Sequence, residues 1–290
     1  MKPNYSIKHI TPSVKLLHAT PIFVGEVAGR RCYDSFYASE HEAIINYGLT
    51  NNLESNLDDL ENIEESGLLE KLTHVYHHNS VVEHITLNFD VTDFNRGVLQ
   101  QLVRSRIASY SARSTRYTMA ELLLVFTYYR SRKTGISPFL SKAYRKSFSK
   151  WVIKNKVFTF DPIYELELLE LNCSQLWEQL DMYVSKHGID DLIGLVSKDS
   201  VEDFVNLDTL DDALKSLKRK KNIGDRFKHI VNDNWNTSIV MTFNMRSLKN
   251  FLQLRNSGAA YYLIKELAIE IEKAIPKGHL RLIRKITKDD

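Results

Sequence analysis

Residues 101–117 constrain the fold and function of this chain more than any other stretch. They contain four arginines, four serines and no acidic residue, and an apolar, helix-like run of residues (98–103) leads into them. The planar guanidinium group of arginine offers five donors and suits phosphate, and hydroxyls and free backbone N–H groups near a helix end bind anions as well. The pattern predicts an anion pocket, most simply one for a nucleotide. An exposed basic face with a serine-rich turn is the alternative that the residues leave open.

Length and composition limit the class of protein. The 290 residues suffice for a large core in one or two domains, and 43% hydrophobic with 26% charged residues is typical of globular proteins. The net charge of +3 is small, which argues against nucleic acid as the main partner. Cys32 and Cys173 lack the spacing of a disulfide framework or a metal site. We therefore expect a cytoplasmic protein without a bound metal, a secretory signal or a membrane span.

Apolar periodicity predicts an α+β chain. Strands are expected at the start of residues 13–25, which Pro21 interrupts, and at residues 85–91 and 237–243. Helices are expected at residues 24–33, 41–49, 68–77, 95–106, 164–187, 246–255 and 261–275. We expect a loop or exposed helix at residues 51–65, a strand or helix at 122–129, and peripheral helices and loops at 189–223.

Three common chemistries find no support in the sequence. Neither cysteine has an activating context, so a nucleophilic thiol of the kind that attacks a pyrimidine ring is not expected. His77, His78 and His84 with Glu83 can be drawn as a metal cluster, but no second group of ligands has a matching spacing. Core or capping histidines are the alternative. Without a GxGxxG or GxxxxGK[ST] motif, a nucleotide or cofactor must be held by side chains.

A second cluster of polar side chains lies near the carboxyl end. Asn244, Ser247, Asn250 and Arg255 recur at about helical spacing, and Arg255 lies one turn beyond Phe251. Arg255 can therefore project from the same helix face as its neighbours. An exposed helix with ordinary polar residues is the alternative.

Three motifs, in this order, resemble the flavin-dependent thymidylate synthases of the ThyX type. The family signature is Arg-His-Arg, seven residues, and then Ser-x-Arg-Tyr; residues 104–117 match it with Ser105 at the histidine position. Residues 78–84 look like the His-x-[Ser/Thr]-x-x-Glu-His element, and residues 244–255 look like the Asn-x-Arg-Ser-Leu-x-x-Phe-x-x-Leu-Arg element. Residues 16–33 also resemble the amino-terminal region of the family, and the similarity covers about residues 1–118 and 226–275.

The resemblance implies a fold and an activity. The fold would be α+β, with a mixed, mostly antiparallel sheet flanked by helices, in a single catalytic domain over residues 1–290. Residues 1–118 and 226–290 would form its core, and residues 119–225 an enlarged, helical, insertion-like segment. The enzyme would be a homotetramer with shared active sites. It would methylate dUMP to dTMP reductively, with methylenetetrahydrofolate as the carbon donor and FAD, reduced by NADPH, as the hydride donor.

Carried over by position, the resemblance also implies roles for individual residues. Those taking part in catalysis would be Arg104, Ser114, Arg255 and His78, the last near the flavin and folate. Those holding dUMP would be Gln101, Arg104, Ser114, Thr115, Arg116, Lys228 and Arg255, with Arg226 in place of Lys228 if the register slips. Those binding FAD would be Ser80, Glu83, Arg104, Ser105, Arg106, Ile107, Asn244, Arg246 and Asn250.

The chain departs from the family pattern at several positions. Ser105 replaces the signature histidine, Ala112 replaces a glutamate of many members, and residues 259–263 replace a His-Ala-Gln-x-Glu run. Two alternatives therefore stay open. One is an enzyme on the same scaffold that takes another pyrimidine nucleotide or transfers another one-carbon group. The other is a non-catalytic protein that binds nucleotide or RNA, with residues 218–221 in the binding surface.

Overall fold

The computed structural model describes residues 11–132, 138–159, 165–218 and 223–285. These residues form two compact units. The sheet unit comprises residues 11–94, 98–112 and 238–285, and the helical unit comprises residues 95–97 and the described part of 113–237. None of the helices in the described ranges has the length and apolarity needed to cross a membrane. Of the basic segment 218–221, only Lys218 lies within the described residues.

The elements of the sheet unit confirm the predicted α+β class. Its four strands are β1 (Ser13–Ala19), β2 (Thr86–Asn95), β3 (Ala108–Ala112) and β4 (Asn236–Asn244). Its helices are α1 (Ile22–Tyr33), α2 (Glu42–Thr50), α3 (Leu57–Glu61), α4 (Gly67–His74), α5 (Arg96–Leu102), α12 (Met245–Arg255), α13 (Tyr262–Lys273) and α14 (Lys277–Ile283). The first residues of α5 and of β4 are counted with the helical unit.

One four-stranded sheet, in the order β1-β2-β4-β3, organises the sheet unit. Strand β1 pairs antiparallel with β2, and β3 pairs antiparallel with β4. In β2 the side chains of Leu87, Phe89 and Val91 are fully buried while the residues between them are half-buried, as the two-residue period of a strand requires. Helices α12 and α13 contribute their apolar faces to the same core, which includes Leu248 and Leu267.

The helical unit confirms that the middle of the chain is helical. Its helices are α6 (Thr115–Ser131), α7 (Pro138–Lys154), α8 (Glu165–His187), α9 (Ile189–Val196), α10 (Val201–Val205) and α11 (Leu210–Lys215). Phe126, Phe148 and Trp177 from three of these helices meet with ring centroids 4.8–5.9 Å apart. Residues 122–129, for which strand and helix were both open, lie within α6.

Two segments expected to be peripheral contain short helices and loops, as predicted, but each also contributes apolar side chains to a core. Leu192 and Ile193 of α9 and Phe204 of α10 are fully buried in the helical core, although residues 189–223 were expected to be peripheral. Residues 51–65 were expected to be a loop or exposed helix, yet Leu60 of α3 is fully buried in the sheet unit. In both segments, one or two apolar residues per turn are enough to pack a short helix against the core, because its charged residues lie on the opposite, solvent-facing side.

The largest departure from the prediction lies in residues 95–112. The helix expected over residues 95–106 ends at Leu102, and β3, which was not predicted, follows after a five-residue loop. Alanine and serine have low strand propensity, so the local sequence of β3 gives little signal. Strand β4 supplies the backbone partners instead, with Ala108 opposite Phe243 and Ala112 opposite Ile239.

Candidate functional site

The loop between α5 and β3 carries the first two arginines of the signature, Arg104 and Arg106. The backbone N–H of Ser105 donates to the carbonyl oxygen of Leu102 at 3.0 Å and closes a turn. Ile107 has a φ of 62°, in the left-handed region that a branched residue rarely adopts, and its side chain is exposed. Arg104 and Arg106 are exposed and form no ion pair with any described residue. The loop therefore presents two uncompensated cations, as an anion site requires.

Tyr110 on β3 holds this loop in place. Its hydroxyl lies 3.1 Å from the carbonyl oxygen of Leu102 and 3.0 Å from that of Ser105, and it can donate to either. Its ring packs edge-on against Phe243 at a centroid distance of 5.9 Å. Burial raises the pKa of Tyr110 to about 12, so the hydroxyl stays protonated and remains a donor near neutral pH. No sequence pattern pointed to Tyr110, because the strand that carries it was not predicted.

We expect Tyr110→Phe to loosen the loop without unfolding the chain. The substitution keeps the ring packing and removes the hydroxyl, so the free energy of unfolding should fall by about 1 kcal/mol. Amide hydrogen exchange at Ser105 should become faster, because the turn loses its support. Urea unfolding and exchange measured by mass spectrometry test both effects. Tyr37→Phe, at a tyrosine that is 79% exposed, is the matched control and should change neither; unchanged exchange at Ser105 would contradict this role for Tyr110.

The start of α12 brings two of the predicted cofactor residues together. Arg246 Nη1 donates to Glu83 Oε1 at 2.5 Å, and both side chains are partly exposed. The side chain of Asn244 accepts from the backbone N–H of Ser247 at 2.8 Å and caps the helix. The backbone N–H of Met245 donates to the carbonyl oxygen of Ile85 at 2.8 Å. These contacts join the motif at residues 78–84 to the motif at residues 244–255.

The other predicted residues of these two motifs are exposed. His78, Ser80 and Asn250 lie at the surface of the sheet unit. The backbone N–H of His78 donates to the carbonyl oxygen of Leu72 at 2.7 Å, and its imidazole ring lies 6.1 Å from the ring of Tyr76, measured between centroids. The described residues contain no group of three or more His, Cys, Asp or Glu side chains arranged to hold a metal ion.

Arg255 at the end of α12 contacts the stretch that precedes the signature. Its Nη2 donates to the backbone carbonyl oxygen of Gln101 at 3.2 Å. Its Nε is buried and has no hydrogen-bond partner among the described residues. A buried donor without a partner is costly unless a ligand satisfies it. The structure thus brings the predicted nucleotide residues Gln101 and Arg255 together, and Arg255 Nε has no acceptor among the described residues.

The remaining predicted nucleotide residues belong to the helical unit. Ser114 and Thr115 are half-buried at the start of α6, whose first turn has no acidic residue. Free backbone N–H groups at such a helix start bind anions; the side chain of Arg116 lies outside the described ones. Lys228 Nζ lies 3.2 Å from Asp225 Oδ1, and the guanidinium group of Arg226 lies 3.4 Å from Asp191 Oδ2. Both cations therefore have acidic neighbours within their own unit.

A family model and curated relatives match most of this chain. The family model described as thymidylate synthase complementing protein matches residues 15–278, a range that includes the middle segment. A flavin-dependent thymidylate synthase of Helicobacter pylori is 27% identical over 271 residues, which cover 93% of this chain and 97% of the relative. One from Wolinella succinogenes is 29% identical over 215 residues, covering 73% of this chain and 77% of the relative.

Solved structures show the same fold. A crystal structure of flavin-dependent thymidylate synthase ThyX from Helicobacter pylori, complexed with FAD and dUMP, superimposes with a TM-score of 0.59 at 23% identity. The match covers 95% of this chain and 100% of that one. A second structure of the Helicobacter pylori protein, also with FAD and dUMP, gives the same TM-score at 22% identity and covers 94% and 97% of the two chains. The predicted ThyX-like fold is thereby confirmed.

Proposed function

Because the chain belongs to the thymidylate synthase complementing protein family, we propose that it is a flavin-dependent thymidylate synthase, which converts dUMP to dTMP by reductive methylation. The curated relatives that share most of its length carry that name. The observation that carries the proposal from this chain's own residues is the buried Nε of Arg255 beside Gln101, which has no hydrogen-bond partner in the part of the chain that the structure describes. An arginine in this position offers a fork of donors to a carbonyl or phosphate oxygen.

The proposed dUMP residues comprise cations, hydroxyls and one amide. Arg255 and Gln101 come from the sheet unit, together with the exposed Arg104. The family resemblance also assigns Ser114, Thr115, Arg116 and Lys228 to dUMP. Ser114 and Thr115 stand at a helix start, where backbone N–H groups and the helix dipole favour the phosphate. Lys228 keeps the charge of an arginine but lacks its fork, so its contribution is that of a point charge.

The sheet unit also has the donor set that an anionic dinucleotide cofactor needs. Arg104 and Arg106 are exposed without ion pairs to described residues, and Arg246 is 52% exposed beside Glu83. This excess of cations fits the pyrophosphate of FAD, and we assign to FAD these three arginines together with the following residues: Ser80, Glu83, Ser105, Ile107, Asn244 and Asn250. When bound, FAD supplies the hydride of the reaction.

The residues of the chain position the reactants and stabilise charge. Orientation of a bound pyrimidine by Arg104, Ser114 and Arg255 lowers the entropic part of the barrier, and a guanidinium group stabilises negative charge that develops on the ring. His78 is exposed beside these motifs and is assigned to the flavin and folate side. Burial raises the pKa of the Cys173 thiol to about 12, so Cys173 is not an available thiolate. A methylation that needs no enzyme cysteine agrees with this environment.

The co-substrates and the assembly are part of the same proposal. We infer that methylenetetrahydrofolate donates the carbon, that NADPH reduces the flavin, and that the enzyme is a homotetramer in the cytoplasm with active sites shared between subunits. The family resemblance in three ordered motifs supports these assignments.

A spectrum and a tritium-release assay test the proposed function. Purified protein is expected to show the two visible absorption bands of an oxidised flavin. It should release tritium from 5-³H-dUMP only when methylenetetrahydrofolate and NADPH are both present. Mass spectrometry should identify dTMP as the product; a hydroxymethylated pyrimidine would point to a different transferred group. Flavin-free protein that does not bind dUMP would contradict the proposal.

A further inference from the structure

A row of lysines on α7 stands out among the charged surfaces of the helical unit. Lys142, Lys146, Lys150 and Lys154 follow one another at four-residue intervals, are all exposed, and have no ion pair with any described residue. At about 1.5 Å of rise per residue, they form a stripe roughly 18 Å long. Residues 122–160 contain no aspartate or glutamate at all. The chain therefore concentrates positive charge here although its net charge is only +3.

The other face of α7 has a structural role. Phe148 and Val152 are fully buried in the helical core. Arg145 Nη2 lies 3.1 Å from Glu178 Oε1 of α8, whereas the four lysines of the stripe have no ion pair with any described residue. Among the described side chains of α7, the apolar ones pack in the core and the exposed face carries lysines, so this part of the helix has no apolar face to insert into a membrane. A polyanion matches this surface better than a lipid bilayer does.

A pocket of about 130 Å³ lies at the carboxyl end of α7. Its lining includes two aromatic rings, two cations and one carboxylate, namely Trp151, Trp235, Arg113, Lys156 and Glu121. Each lysine of the stripe lies about 40° further around the helix than the lysine before it, because four residues exceed one helical turn. The stripe therefore winds toward the side of α7 that carries Trp151. Trp235 is held edge-on by Phe158 at a centroid distance of 5.6 Å. The pocket thus continues the stripe, and the half-buried Trp151 at its edge offers a ring on which a planar base can stack.

We propose that the helical unit binds single-stranded nucleic acid, with phosphates along the lysine stripe and one base in the pocket beside Trp151. Lysine side chains match phosphates as point charges, and stacking on tryptophan tolerates any base. The Glu121 carboxylate disfavours a phosphate in the pocket and can accept a hydrogen bond from the amino group of a base. A small net charge with a local basic surface suits a second activity of an enzyme better than a dedicated nucleic-acid-binding protein.

Fluorescence anisotropy with the full-length, flavin-loaded protein tests this proposal. The probes are fluorescein-labelled 20-nucleotide oligouridylate and oligothymidylate, with saturating dUMP present so that the proposed nucleotide site cannot take their ends. Four phosphate contacts on a single strand give a salt slope of about −2.8, so binding should weaken roughly 50-fold between 50 and 200 mM NaCl. The variant K142A/K146A/K150A/K154A should bind at least about tenfold more weakly at 50 mM NaCl and lose most of that slope.

A second set of exposed lysines provides the matched control. The variant K71A/K186A/K198A/K277A removes the same charge from elsewhere on the surface and should bind within about twofold of the parent. Oligonucleotide should also quench tryptophan emission in the parent and less so in Trp151→Phe. Equal weakening by both quadruple variants, equal binding of a duplex, or lysine-dependent binding to anionic phospholipid vesicles with none to the oligonucleotides would overturn the proposal. Tritium release by the α7 variant should be unchanged, which separates this proposal from the enzymatic one.

Discussion

Arg255→Ala is expected to lower kcat/KM for dUMP by a factor of about 10² to 10³. Arg255 is a half-buried cation of the proposed nucleotide site, and its buried Nε has no partner among the described residues. Removal of one preorganised donor to developing charge costs roughly 2.7–4 kcal/mol of transition-state stabilisation. The backbone carbonyl of Gln101 also loses its 3.2 Å contact. Initial rates by tritium release over a range of dUMP concentrations measure the effect.

Two further variants separate charge, geometry and general damage. Arg255→Lys keeps the charge but lacks the planar fork of donors. Its kcat/KM for dUMP should therefore lie between that of the parent and that of the alanine variant. Arg281→Ala is the matched control, because Arg281 is also a partly exposed arginine of the sheet unit, paired with Glu65 at 3.1 Å. It should leave the dUMP kinetics unchanged. An Arg255→Ala enzyme with the dUMP kinetics of the parent would remove Arg255 from the proposed mechanism.

Arg246→Ala is expected to weaken FAD binding about 10- to 100-fold. A hydrogen bond from a charged group contributes about 1.5–3 kcal/mol when the ligand is bound. In the ion pair, the side chains of Arg246 and Glu83 are 52% and 39% exposed. Loss of this pair alone should therefore lower the free energy of unfolding by no more than about 1 kcal/mol. Flavin fluorescence during titration of the apoprotein gives the dissociation constant, and urea unfolding without flavin gives the stability.

A double-mutant cycle then decides whether Arg246 acts on the cofactor or only on Glu83. If the arginine binds FAD, Arg246→Ala combined with Glu83→Ala should bind FAD no better than Arg246→Ala alone. Recovery of FAD affinity in the double variant would instead show that the single variant suffers from an unpaired Glu83. Arg145→Ala is the matched control, because Arg145 pairs with Glu178 at 3.1 Å with similar exposure but belongs to α7. It should leave FAD affinity unchanged.

Local sequence was sufficient where an element's own side chains dictate its structure. The alternation in β2 and the helical spacing in α12 predicted both elements, with α12 matched to within one residue and β2 extending four residues beyond its predicted end. The residue types of the site were also visible, because uncompensated arginines and hydroxyls identify an anion site whatever their packing. The family resemblance added the assignment of roles, which composition and spacing could not supply.

Tertiary structure decided the features that depend on distant partners. Strand β3 exists because β4 offers it backbone groups, since alanine and serine do not favour a strand by themselves. Tyr110 anchors the arginine loop only once that strand has formed. The contacts of Arg246 with Glu83 and of Arg255 with Gln101 join residues 163 and 154 positions apart. By itself, the sequence determined which chemical groups the site contains. Only the folded chain decided which of them meet, because contacts between distant segments are set by strand pairing and core packing and not by local propensity.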